Sequence, residues 1–317
     1  MKKKDFSALL AAVDTLSANQ KAQLLGALSE EPSAKQPADM IDEEFSTKPV
    51  CPNCSSETVY KWGKVSGLQR YRCKECKRTF NALTGTPMAR LRKKELWLEY
   101  SQALSESLSL TKAADRCGID RTTAFRWRHR FLPNSGQPES QCSGITEMDE
   151  TYFRESFKGK KVLHRSARKR GELHVRGLSS EQIPVVVARD RTGQTYDAVL
   201  RERSAKEVGL RLGAHIAPDS LLCIEQSRIL LKFAKDAGLA FETIGTKQRK
   251  GREKIFHVQS VNAYHSRLKN WIGRFNGVAT ERLPNYLAWR RLQEQSLPTS
   301  QEWLRAILQG KIHTKRN

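Results

Sequence analysis

The sequence predicts a multidomain α+β chain: a short helical start, a small cysteine-built β-ribbon, a helix-turn-helix, and a C-terminal mixed sheet covered by helices. Three observations carry that prediction. Four of the seven cysteines stand in two tight pairs, Cys51/Cys54 and Cys73/Cys76. Residues 110–130 hold two short helical patterns joined by a glycine. Beyond residue 144, apolar runs and amphipathic stretches follow the order strand, hairpin, helix, strand, helix.

Taken in order, residues 1–30 form a helical segment. Phe6, Leu9, Leu10, Val13, Leu16, Leu24, Leu25 and Leu28 recur at helical spacing, and Ser17 and Asn19 interrupt them, so two short docking or dimerising helices are predicted. Residues 31–48 turn to Glu, Pro, Ser and Lys and read as a linker. The ribbon occupies 49–87, with strands at Gln69–Arg72 and Arg78–Phe80, and the helix-turn-helix occupies 88–132. Pro133-Asn134-Ser135-Gly136-Gln137-Pro138 marks a second linker, 133–144. The last domain, 145–311, opens with a strand from Ile145 to Phe153. Two strands follow between Ile183 and Leu200 around a turn at Asp190-Arg191-Thr192-Gly193, then a helix over Ala205–Leu212. The short strand Leu221–Ile224, a helix near 227–237, a strand at Phe241–Ile244 and helices over 258–275, 283–295 and 299–309 complete it.

The 317 residues carry 56 Lys and Arg against 34 Asp and Glu, a formal charge of +22. A field of that size attracts polyanions, nucleic acid first and an anionic membrane surface second. No apolar run approaches the roughly 20 residues of a spanning helix. The basic Met1-Lys2-Lys3-Lys4 opening is not followed by a signal-type apolar run, because Asp14 interrupts it. A cytosolic protein is expected. Odd, unevenly placed cysteines fit a reducing compartment with one metal site, and Cys117, Cys142 and Cys223 read as small core residues.

Cys51-Pro52-Asn53-Cys54 and Cys73-Lys74-Glu75-Cys76 are C-x-x-C knuckles eighteen residues apart. Each knuckle turns both sulfurs toward one ion, and two knuckles fill the tetrahedral shell of structural zinc. A redox dithiol needs a single C-x-x-C beside a βαβ unit, so zinc is the reading that fits, with no open position for catalysis.

Leu110 to Ile119 and Asp120 to Arg130 form a helix, a glycine turn at Gly118 and a second helix, with Ala113, Ala114, Ile119, Ala124 and Trp127 as the packing seam. In DNA the second helix would enter the major groove with Arg121, Thr122, Thr123 and Arg126, while Arg128 and Arg130 reach phosphates. The competing interpretation is an ordinary surface helix with a solvated basic face. Charge and the adjacent ribbon favour DNA.

Several stretches together resemble a family. Cys51 to Lys94, with Phe80-Asn81-Ala82-Leu83-Thr84-Gly85-Thr86-Pro87-Met88-Ala89-Arg90-Leu91, resembles the zinc ribbon of bacterial insertion-sequence transposases of the DDE class with an ISXO2-like domain. Phe125 to Arg130, Met148-Asp149-Glu150-Thr151-Tyr152-Phe153, His257 to Lys269, Arg274 to Thr280 and Asn285 to Arg291 are similar too. The resemblance implies an RNase H-like domain that cleaves and joins phosphodiesters with two Mg²⁺ ions. It implies three catalytic positions: Asp149 on the first strand, Glu225 after the strand Leu221–Ile224, and Asn262 on the helix from about 258. Where it implies Asp then Gly, this chain has Glu225-Gln226. The extra methylene moves a carboxylate by about 1.5 Å, and misplacement by about 1 Å costs on the order of a hundredfold in rate. Asp219 precedes the strand and does not substitute for it. Glu147 and Glu150 are expected to point elsewhere by strand alternation, and His265, one turn beyond Asn262, is a candidate phosphate contact.

Two basic tracts frame this domain, 158–176 with Lys160 and Lys161, and 247–254 with Arg249 and Lys250. Beside such a site they are expected to hold DNA backbones. The first function this supports is a transposase acting on double-stranded DNA, transposon ends and target, as a homodimer or higher assembly. The second is a repurposed or decayed relative that grips DNA without nuclease activity. A zinc-ribbon transcription regulator comes third, since it leaves the last domain unexplained.

Overall fold

The computed structural model describes residues 12, 13, 15–17, 20, 21, 37–132, 141–163, 179, 181–245, 255–294 and 299–309. Most of the expected N-terminal helices, the linker 133–140 and the tract 246–254 with Arg249 and Lys250 lie outside the described residues. The chain divides into two compact units, residues 1–84 with 90–97, and residues 85–89 with 98–317.

In the first unit a helix, α1 (Pro37–Thr47), occupies the segment read as linker. Its apolar content is low, but Phe45 meets Tyr71 and Phe80 edge-on at ring distances of 5.7 and 6.2 Å. Asp42 Oδ2 accepts a hydrogen bond from the Gln69 backbone N–H at 2.6 Å, tying the helix to the ribbon. The ribbon is a three-stranded antiparallel sheet, β1 (Val59–Val65), β2 (Leu68–Cys73) and β3 (Thr79–Asn81), in the order β1-β2-β3.

The second unit contains α2 (Trp97–Ser105) from Leu98 on, α3 (Leu110–Arg116) and α4 (Arg121–Phe131). Ser109 and Asp120 cap α3 and α4 by accepting from the Lys112 and Thr122 backbone N–H groups. Gly118 between the helices has φ +58°, a left-handed conformation natural to glycine at a helix end. All five seam residues named above are buried.

The sheet that follows comprises β4 (Ile145–Arg154), β5 (Gln182–Asp190), β6 (Thr195–Val199), β7 (Leu221–Ile224) and β8 (Ala240–Thr243). Its order is β6-β5-β4-β7-β8. The first three strands are antiparallel neighbours, and β7 and β8 run parallel to β4 and to each other. The remaining helices are α5 (Ala205–Leu212), α6 (Arg228–Asp236), α7 (Gln259–Gly273), α8 (Leu283–Glu294) and α9 (Ser300–Gln309). Met148, Val186, Ala188, Leu222 and Ile224 pack with Val208 and Leu212 of α5 and Leu230 and Phe233 of α6 in one core.

The other side of β4 and β5 carries α7. There the buried Asp197 carboxylate accepts from Tyr264 at 2.7 Å and is ion-paired with Arg291 of α8. Trp271, Phe275, Tyr286 and Trp289 form an aromatic cluster between α7 and α8. Trp289 Nε1 donates to the Leu104 carbonyl at 3.0 Å and Trp271 Nε1 to Ser107 Oγ at 2.9 Å, so the helix-turn-helix packs directly on these two helices. Cys117, Cys142 and Cys223 are buried, as expected of core thiols.

Candidate active site and zinc ribbon

Alternation along β4 sends Met148 into the α5/α6 core and Glu147, Asp149 and Thr151 toward α7. Parallel pairing sets Met148 opposite Ile224, so Asp149 and Glu225 are the next residues along adjacent strands. Both line a cavity of about 490 Å³ together with Glu150, Tyr152, Arg203, Gln226, Ser227 and Arg228. Burial pushes the Asp149 carboxyl up to about 6; the Glu150 backbone opposes this, and the charges of Glu225 and Glu150 add to it. The carboxylates of Asp149, Glu150 and Glu225 lining one cavity are a hard-oxygen donor set of the kind that suits a divalent cation.

Glu150 turns away from α7, with Oε2 at 3.3 Å from both Tyr152 Oη and Ser227 Oγ and 3.6 Å from Arg203. Glu147 does not point elsewhere. It lies two residues from Asp149, and a period of two puts both on one face. Its buried carboxylate accepts from the Val261 backbone N–H at 2.9 Å, in the first turn of α7, and meets Arg191 and His257. A negative charge at that helix start stabilises it. Glu147 therefore fixes the end of α7 that bears Asn262, a role that alternation alone could have signalled. Asn262 itself is exposed on α7. His265, one turn on, is buried with Nδ1 3.7 Å from Asp149 Oδ2. Burial and then Lys269 lower His265 to about 4, so the ring is neutral at physiological pH. It meets the carboxylate rather than presenting a free cation to a phosphate.

Gln226, where the resemblance implies glycine, has φ +33°. A side chain there is strained, typically by about 1 kcal/mol.

In the ribbon the four sulfurs of Cys51, Cys54, Cys73 and Cys76 lie within 4.8 Å of one another. The Cys51–Cys76 and Cys54–Cys73 pairs are separated by 3.6 and 3.5 Å. Ligands about 2.3 Å from a tetrahedral zinc stand about 3.8 Å apart, so the cluster fits that ion. Each knuckle closes on a left-handed residue directly after its second cysteine, Ser55 (φ +59°) and Lys77 (φ +58°).

On α4, Arg121, Thr122 and Arg126 are exposed and Thr123 is half-buried. Arg128, expected at a phosphate, is 1 % exposed. Its guanidinium donates to the Leu108 carbonyl at 2.7 Å and lies over the Trp289 ring at 4.9 Å, so packing against α8 removes it from any DNA surface. Arg130 is exposed but donates to the Pro87 and Ala89 carbonyls at 2.9 and 2.8 Å, which anchors that segment. Lys160 pairs with Glu281 at 3.4 Å, and Lys161 is exposed.

Residues 141–291 match the ISXO2-like transposase domain family, and residues 47–77 match the InsA N-terminal domain, a zinc ribbon. The chain is 27% identical over 277 residues to an uncharacterized protein in transposable element ISH50 of Halobacterium salinarum, covering 82% of this chain and 90% of the relative. That relative comes from an archaeon, not a bacterium. Among solved structures, a chain of the simian T-cell lymphotropic virus intasome in complex with PP2A regulatory subunit B56 gamma overlaps with a TM-score of 0.29 at 9% identity, over 60% of this chain and 64% of that one. A chain of the Mos1 strand transfer complex gives 0.24 at 11% identity, over 69% and 79%. Overlaps this partial carry no argument.

Proposed function

We propose that this protein binds the double-stranded DNA ends of an insertion sequence and catalyses Mg²⁺-dependent strand cleavage and transfer in an RNase H-like domain. The observation that carries the reading is the pair Asp149, on β4, and Glu225, directly after the parallel β7, lining one cavity. The strand order, three antiparallel strands extended by two parallel ones, is the arrangement an RNase H-like domain requires. Asp149 and Glu225 would hold the metal, with Asn262 as a weaker amide-oxygen ligand, direct or through water. Bound Mg²⁺ supplies activation of the attacking oxygen and stabilisation of the leaving one. Glu147 keeps α7 in register with β4, and neutral His265 packs against Asp149 without adding a proton. The assembly on DNA is a homodimer or larger, in the cytosol. Among the described residues no helix is long and apolar enough to cross a membrane.

The strained Gln226 and the longer Glu225 favour a second reading, a repurposed DNA-binding relative without nuclease activity. Strand transfer by purified protein on the element's own ends with Mg²⁺ separates the two. The first predicts activity in the wild type and its loss in Asp149→Ala. Activity only in Glu225→Asp establishes the second. No activity in either, with end binding intact, removes the carboxylate reading altogether.

DNA recognition is assigned to the exposed edge of α4. Arg121→Ala and Arg126→Ala are expected to weaken duplex binding and to lower the salt slope by about one each where the contact is to phosphate. Arg128→Ala is expected instead to lower the melting temperature, because it removes a buried side chain from the α4–α8 contact. Titrations at several salt concentrations and thermal unfolding check both. The exposed Lys161 and the Lys160 pair are assigned to the DNA backbone, as are Arg249 and Lys250, outside the described residues.

A further inference from the structure

The ribbon has two unlike faces. Tyr71, Cys73 and Phe80 point into its small core, with Phe45 packed against them. Arg70 and Arg72 alternate with those residues on β2 and so face outward. Tyr60 is the direct cross-strand partner of Arg72, and Trp62 lies two residues along β1 on the same outer face. Tyr60 and Trp62 are 38% and 44% exposed, large values for aromatics on a sheet. Their rings meet edge-on at 5.7 Å, and the Arg72 guanidinium lies over Trp62 at 4.9 Å. Arg72 is held by the Lys77 carbonyl and Arg70 by Thr79 Oγ1, at 3.3 and 3.2 Å. The result is a fixed platform of two aromatic rings on the edge strand β1 and two guanidiniums on the neighbouring β2. Residues 51–84 carry seven basic side chains against two acidic ones, so the platform stands in a positive field.

We propose that this face binds unpaired DNA, with bases stacking on Trp62 and Tyr60 while Arg70, Arg72 and the ribbon lysines neutralise phosphates. Stacking on an aromatic ring needs an open base face, which single-stranded or frayed DNA offers and a stacked duplex does not. The cations select a polyanion over an apolar peptide. Strands released by cleavage at DNA ends are such a ligand, but the proposal stands without the carboxylate chemistry, since it requires only the folded ribbon.

Full-length, zinc-loaded protein is titrated by fluorescence anisotropy into labelled oligo-dT and a mixed-sequence duplex of equal length. Trp62→Ala is expected to weaken oligo-dT binding on the order of tenfold, the contribution of a stacked base, and to leave duplex binding unchanged. Trp62→Phe, which keeps a ring, retains most of the oligo-dT affinity. Zinc content reports whether the ribbon is folded; if Trp62→Ala loses zinc, Tyr60→Ser carries the test. Equal losses on both DNAs make the face a plain phosphate surface and overturn the proposal, as does no loss on either. A wild-type dimer that Trp62→Ala converts to monomer in light scattering would assign the face to protein contact instead.

Discussion

Asp149→Asn is expected to make the protein more stable above pH 6 while removing the proposed metal-dependent strand cleavage. Burial holds the Asp149 proton to about 6, well above the ordinary aspartate value of 3.8. A carboxyl raised in this way binds its proton more tightly in the native state than in the unfolded chain. Its favourable contribution is complete below pH 4 and is lost as pH rises from about 4 through 6. The difference corresponds to about 3 kcal/mol at pH 8, for a side chain that is only 24% exposed. Asparagine keeps the shape without the charge, so urea midpoints are expected to rise relative to wild type at pH 8 and to coincide near pH 4. The measurement uses zinc-loaded protein with no other divalent ion, followed through tryptophan emission. Equal midpoint shifts at both pH values would show that the effect is packing and not the charge. The same change removes a proposed metal ligand, an expected loss of several kcal/mol of transition-state stabilisation, on the order of a thousandfold in rate. Stability and activity moving in opposite directions at one residue mark a site kept strained for function.

Removal of zinc is expected to unfold the ribbon and leave the sheet of the second unit folded. The metal end of the ribbon packs only on a small cluster, Cys51, Tyr71, Cys73 and Phe80, with Phe45, Val59 and Cys76 partly buried beside them. So few apolar residues do not offset the ordering of a segment of this length. Binding of structural zinc contributes about 10–16 kcal/mol in small ribbons and fingers and is in effect their folding energy. Chelation, or Cys73→Ser, should abolish the dispersion of the ribbon's NMR signals and its zinc stoichiometry. The transition reported by Trp271 and Trp289 should persist. One unchanged transition with and without zinc would contradict a metal-built ribbon.

Much of the fold was legible because periodicity and burial agree. Leu221–Ile224 reads as a short buried strand and is one, and the helix expected over 258–275 spans Gln259–Gly273. α1 was not legible, since its apolar anchors are few and its stability comes from the ribbon it packs on. β1 escaped for a related reason. Its exposed, basic and aromatic sequence has no alternation, and a register shift between Lys61 and Lys64 interrupts it. At the site, Asp149 lies midway along β4 and Glu225 directly after β7, and the parallel pairing of these two strands is what brings them together. Arg128 was misjudged because its partner, Trp289, is distant in sequence and belongs to another helix. Helical spacing shows which residues share a face but not what that face meets. Glu147 lies two residues before Asp149, so strand parity puts it on the same face, against the start of α7.

Asp149 and Glu225 are proposed to hold a divalent metal between them. Titration of Mn²⁺, followed by its electron paramagnetic resonance signal, into zinc-loaded wild type and Asp149→Asn tests it most directly. Saturable binding by the wild type, weakened as pH falls through 6, is expected, with none by the variant. Equal binding by both proteins, or none by either, would contradict it.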